Sequence, residues 1–83
     1  MAYELEVYPD AEEQIDALPP EVRAALGRAM TVLALVPWNG LPYNDDMPDG
    51  SMRQLVFGHQ GLVTYLILED QGRVDVLRVQ WVG

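Results

Sequence analysis

RQLVFGHQGLVTYLILEDQGRVDVLRVQWV, residues 53–82, reads as three consecutive β-strands. They are Arg53–Phe57, Leu62–Leu68 and Val74–Val82, all aliphatic or β-branched runs. Gly58-His59-Gln60-Gly61 and Asp70-Gln71-Gly72-Arg73 interrupt them, and each has the length and glycine content of a hairpin loop. The middle run is apolar on both faces, with Leu62, Leu66 and Leu68 on one and Val63 and Ile67 on the other. That pattern predicts a central strand. In the last run, alternation puts Leu77, Val79 and Trp81 on one face and Val76, Arg78 and Gln80 on the other.

Upstream of this block, Tyr3–Tyr8 alternates, with Tyr3, Leu5 and Val7 opposite Glu4, Glu6 and Tyr8. Pro9 stops that strand, and Asp10 with Glu13 three residues later resembles an acidic capping box. Asp10–Leu18 then carries an apolar stripe of Ala11, Ile15 and Leu18 at helical spacing. Pro19-Pro20 breaks this helix and opens the next, Pro20–Val36. Val22, Ala25, Leu26, Ala29, Met30, Leu33 and Val36 line one side of the second helix, while Val32 and Leu35 lie opposite and need a cover. Residues 37–51 hold three prolines, Asn39-Gly40 and Asp49-Gly50, and predict a long loop of the kind that often carries function. The element order is therefore β-α-α-β-β-β. The predicted class is α+β, with four mainly antiparallel strands and a helical hairpin packed on one face, in a single domain over residues 1–83.

Eighty-three residues suffice for one modest core. There is no cysteine, so disulfides and thiolate metal sites are excluded. The acidic N-terminal stretch is not a signal peptide and no apolar run reaches spanning length, so a cytoplasmic protein with no membrane role is expected. The net charge of −8 is concentrated in the first helix and strand, and all five basic residues are arginine. Arg53, Arg73 and Arg78 make no extended basic patch, so free RNA or DNA should bind weakly at best. Asp45, Asp46 and Asp49 fail the ligand register of a calcium loop because Met47 and Pro48 interrupt it. No metal or organic cofactor is implied.

Four side chains have chemistry to weigh. Arg53 could hold a phosphate bidentately or guard a strand edge. His59, the single histidine, could move protons or simply decorate a turn. Tyr65 could stack or donate a proton, though a mid-strand tyrosine is more often core. Trp81, in phase with Leu77 and Val79, reads as an aromatic that closes the sheet against the helices.

Across Tyr3 to about Trp81 the chain resembles the RelE/ParE superfamily of toxins from bacterial type II toxin–antitoxin systems. The resemblance rests on Tyr3-Glu-Leu-Glu-Val-Tyr-Pro-Asp-Ala-Glu, on Leu18-Pro19 followed by Arg23, and on Leu33-Ala34 with Pro37. It continues through Arg53-Gln-Leu-Val-Phe-Gly, the strand that includes Tyr65, and Val74-Asp-Val-Leu-Arg-Val. It implies a toxin, or a toxin-derived protein, wrapped by a cognate antitoxin; the apolar end of the second helix (Val32, Leu35) and the open sheet face (Leu62, Leu66, Leu68) are where a partner is expected to lie. RelE-like members cut mRNA on the ribosome without a metal, which implies Arg53, His59 and Tyr65 as the catalytic set here. ParE-like members instead inhibit DNA gyrase. Leu62 stands where an arginine is usual, and the chain has Gln80-Trp81-Val82 where a Gly-His-Arg-like stretch is common. Three readings therefore stay open: metal-independent endoribonuclease, gyrase inhibitor, and degenerate protein-interaction module.

Overall fold

The computed structural model describes residues 2–82. Its elements are β1 (Glu4–Val7), α1 (Pro9–Asp16), α2 (Pro20–Leu35), β2 (Leu41–Pro42), β3 (Met52–Phe57), β4 (Gly61–Leu68) and β5 (Arg73–Trp81). Single 3-10 turns at Pro37–Asn39 and Glu69–Gln71 follow α2 and β4. The sheet order is β1-β5-β4-β3-β2. β1 runs parallel to β5, and every other pairing is antiparallel. The α+β class, the element order and the central β4 follow the sequence reading. The fifth strand, β2, is new: two residues of the expected loop pair with Gln54 and Arg53.

Two local boundaries also differ. Pro9 does not merely end β1 but occupies the first turn of α1, where its missing N–H costs nothing and its fixed φ suits the helix. Tyr8 is then the cap, without a side-chain bond, and Asp10 lies inside the first turn, where its charge suits the helix dipole. At the other end of this hairpin, the Arg23 guanidinium donates to the Leu18 carbonyl at 3.0 Å and fixes the turn into α2.

The core lies between the helices and one sheet face. Ala11, Leu18, Leu26, Ala29 and Leu33 meet Phe57, Val63, Tyr65, Ile67, Val74, Val76 and Val79. Val74, Val76 and Val79 cannot share a face under strict alternation. A register shift between Thr64 and Tyr65 resolves this, because their partners on β5 are Arg78 and Val76. Leu77 is the extra residue of a β-bulge, and it flips the phase of β5. The expected grouping of Leu77 with Val79 and Trp81 therefore holds only beyond the bulge. Nearby, the Val79 N–H donates to Gln14 Oε1 of α1 at 2.6 Å. Gly72, at φ 58°, closes the second hairpin in a conformation that residues with a Cβ rarely adopt.

Candidate functional surface

Arg53 points into the molecule. It shares a face with Leu55 and Phe57, and its Cα partner on β4 is Tyr65. Only 8% exposed, its guanidinium is spent on backbone carbonyls. Nε donates to Gly50 O at 3.1 Å, Nη1 to Gly40 O at 2.9 Å and Trp38 O at 3.4 Å, and Nη2 to Pro48 O at 2.7 Å. The Trp38 ring stacks on it, 4.8 Å from Cζ to the ring centre. Arg53 thus folds the 37–51 loop around itself, which leaves it no free pair of donors for a phosphate.

Tyr65 is fully buried on the same side, and its hydroxyl donates to Pro37 O at 2.6 Å. Burial pushes that hydroxyl's pKa up, and the nearby Arg53 charge opposes the shift. His59 lies at the exposed tip of the β3–β4 hairpin. Four residue steps along β3 separate the Phe57–Gly61 end of that hairpin from Arg53–Tyr65, which is roughly 13 Å of strand. The structure therefore joins Arg53 to Tyr65 and leaves His59 apart. The signal for this was present: Arg53 alternates in phase with Leu55 and Phe57, and Tyr65 with Val63 and Ile67. Trp81 also departs from expectation. It is 37% exposed and stands at the rim of the helix side, outside the buried core.

The opposite sheet face is uncovered by helices. Strand register arranges it in rows. Val56, Leu62 and Gln80 form one row; Gln54, Thr64 and Arg78 form the next; Met52, Leu66 and Asp75 form the third. Leu62, Leu66 and Leu68 are half-buried here. Among the described residues Arg78 makes no ion pair, so it is this face's free cation.

Sequence reasoning missed Asp75, which is 2% exposed on this same face. It accepts from Arg73 Nε at 2.8 Å and from the Tyr8 hydroxyl at 2.9 Å. These bonds hold the Arg73 pKa up, and the Asp75 hydrogen bond raises that of Tyr8. The cluster ties β1 to β5 and takes Arg73 out of service as a phosphate binder. Arg73 and Asp75 are two residues apart on one face of β5, a local pairing, but Tyr8 sits 67 residues away from Asp75 and no sequence pattern brings it there.

Glu69 makes a second tie. It accepts from Trp38 Nε1 at 2.8 Å and from the Tyr3 hydroxyl at 2.9 Å. Those bonds, Trp38 first, hold its carboxyl below the ordinary range. Its contribution to stability is therefore present above the usual carboxylate pKa and lost as pH falls through the depressed folded value. Glu69→Gln should lower the denaturation midpoint at neutral pH, and the gap to wild type should close in acid. A gap that stays constant across the acid limb would contradict this tie.

No protein-family profile matches the sequence, and no curated protein matches it. Solved structures match it end to end. A chain of the RelBE2 toxin–antitoxin complex from Mycobacterium tuberculosis has a TM-score of 0.83 at 21% identity, covering 99% of this chain and 100% of that one. The isolated Escherichia coli RelE toxin gives 0.81 at 18% identity, covering 99% and 86%. A chain of the archaeal RelE–RelB complex from Pyrococcus horikoshii gives 0.72 at 13% identity, covering 100% and 98%. The chain has the RelE-like toxin fold.

Proposed function

We propose that this chain is the toxin, or a toxin-derived protein, of a type II toxin–antitoxin pair, and that it works by binding. The observation that carries the toxin–antitoxin reading is the whole-length match to chains from RelE–RelB complexes. The apolar surface supports a wrapping antitoxin. Val32 and Leu35 are 36% and 58% exposed on the outside of α2, and Leu62, Leu66 and Leu68 line the other side of the molecule. A partner that covers both must pass around an edge of the sheet. A cytoplasmic setting goes with this reading.

Binding is favoured over cutting by where the side chains lie. In-line cleavage by a ribose 2′-hydroxyl needs a base, an acid and positive charge at one phosphate. Arg53 and Tyr65 are buried on β3 and β4 with their polar atoms bonded to carbonyls of the 37–51 loop, and His59 is at a distant hairpin tip. One observation favours the alternative, ribosome-dependent mRNA cleavage: Arg78 lies beside Thr64 and Gln54 on the open face. Should RNA be cut, Arg78 is the group to hold the phosphate.

The test has two arms. Induced expression in a bacterial host should slow growth, and co-expression of the protein encoded next to this gene should restore it. Purified protein added to ribosomes programmed with mRNA should leave the message intact. Absence of any growth effect and of any complex with the neighbour would remove the toxin–antitoxin reading. Cleavage lost in Arg78→Ala, with the variant folded, would replace binding by nuclease action.

A further inference from the structure

Asn39 sits between two carbonyls that are held by the same nitrogen. Arg53 Nη1 donates to the Trp38 carbonyl at 3.4 Å and to the Gly40 carbonyl at 2.9 Å. Just before them, the Pro37 carbonyl accepts from the Tyr65 hydroxyl at 2.6 Å. Gly40 is buried, and a Cβ on it would overlap that hydroxyl. The main chain from Pro37 to Gly40 therefore has a fixed length and no spare room. The Asn39 side chain, by contrast, is exposed.

An asparagine followed by glycine is chemically labile. Glycine has no Cβ to shield its nitrogen, and its backbone bends readily into a five-membered ring. Three places in the 37–51 loop have chemistry of this kind: Asn39-Gly40, Asn44-Asp45 and Asp49-Gly50. Local geometry separates them. Asn44 Oδ1 accepts from the Asp46 N–H at 2.9 Å, and the residue after Asn44 carries a side chain. The Gly50 N–H donates to Met47 O at 2.9 Å, which holds the nitrogen that would attack. The Gly40 N–H reaches Pro37 O only at 3.5 Å, beyond the ordinary range for such a bond. Of the two glycine nitrogens, that of Gly40 is the less restrained.

We propose that Asn39 is a site of spontaneous, one-way covalent modification that releases the 37–51 loop. The Gly40 nitrogen gives up its proton and attacks Asn39 Cγ. The bond from Cγ to the side-chain nitrogen breaks, and ammonia leaves with that proton. Water then opens the cyclic imide at either carbonyl. Opening at Cγ gives an ordinary aspartyl residue. Opening at the main-chain carbonyl gives an iso-aspartyl residue, in which the chain runs through Cβ and Cγ and is longer by a carbon atom. The net change is amide plus water to acid plus ammonia, with no oxidant or reductant. The extra carbon falls between the two carbonyls that Arg53 Nη1 binds, and Gly40 has nowhere to move, so this hold gives way. The ordinary aspartyl product keeps the chain length and keeps the hold. This inference is independent of the toxin–antitoxin reading.

The test holds the intact protein in mildly alkaline buffer, which favours loss of the amide proton, and samples it over days. Peptide mapping by mass spectrometry reads exchange of amide for acid. A methyltransferase specific for iso-aspartyl carboxylates reads the iso product. Asn39 should convert at least tenfold faster than Asn44 or Asp49, with the iso-aspartyl form in excess. The new carboxylate lets anion exchange separate converted chains from fresh ones. Converted chains should melt lower, and amide exchange across residues 37–51 should be at least tenfold faster. Freshly purified Asn39→Asp adds the charge without the carbon and should melt close to wild type. Asn39→Gln should keep its amide and its melting temperature throughout. The proposal is overturned if Asn39 keeps its amide in the native protein, or if Asn44 or Asp49 reacts first. It is overturned equally if the iso-aspartyl form melts like fresh protein, or if Asn39→Asp melts as low as that form.

Discussion

Arg53→Ala is expected to destabilise the fold by about 3–4 kcal/mol, a large fraction of what a domain this size has to lose. The residue is 8% exposed and its guanidinium binds the carbonyls of Gly40, Gly50 and Pro48 at 2.7–3.1 Å. Each is a charge-assisted bond, and removing the donor leaves those acceptors without a partner. The stacked Trp38 ring would lose its cation as well. For a domain of this length the melting temperature should fall by about 15–25 °C. Arg53→Lys should recover little, because one ammonium cannot reach carbonyls spread around a planar fork. Thermal unfolding followed by circular dichroism reads both variants. If Arg53→Ala melts within a few degrees of wild type, the loop is not organised by this side chain.

The second large effect is at Gly40. A Cβ there would overlap the Tyr65 hydroxyl and lie 2.7 Å from the Gln54 carbonyl oxygen. The latter is backbone in a paired strand and cannot yield cheaply. Gly40→Ala should therefore cost about 2–3 kcal/mol, within the range for overpacking a filled interior. Tyr65→Phe alone should cost about 1–2 kcal/mol, since it deprives Pro37 O of a buried donor at 2.6 Å. The two changes share the hydroxyl, so they should not add. The double variant should be more stable than the sum predicts by about 1 kcal/mol, because the overlap with the hydroxyl is relieved. Strict additivity in denaturant unfolding would show that Gly40 and Tyr65 do not meet.

These residues also show what could be read from the sequence and why the rest could not. Periodicity carried the fold, since alternation in β1, β3 and β4 and the helical stripes of α1 and α2 are local signals. It failed where geometry departs from periodicity. The bulge at Leu77 reverses the phase of β5, and no residue type there announces it. β2 is two residues long, too short for any pattern, and it exists because Arg53 and Tyr65 draw the loop onto β3. The candidate site was harder to read for a different reason. Arg53, His59 and Tyr65 were grouped by chemistry and by family resemblance, yet the phases of Arg53 and Tyr65 already matched their core neighbours. The Asp75 cluster was only half legible: Arg73 and Asp75 are i, i+2 neighbours on one strand, but Tyr8 joins them only after β1 lies parallel to β5.

On the proposed function, two apolar surfaces on opposite sides of this fold serve one wrapping protein partner. Hydrogen exchange of the chain, alone and in complex with the product of the adjacent gene, tests it most directly. Exchange should slow in both places at once, around Val32 and Leu35 on α2 and along Leu62–Leu68 on β4. Failure to form a complex, or a complex that protects neither stretch, would contradict it.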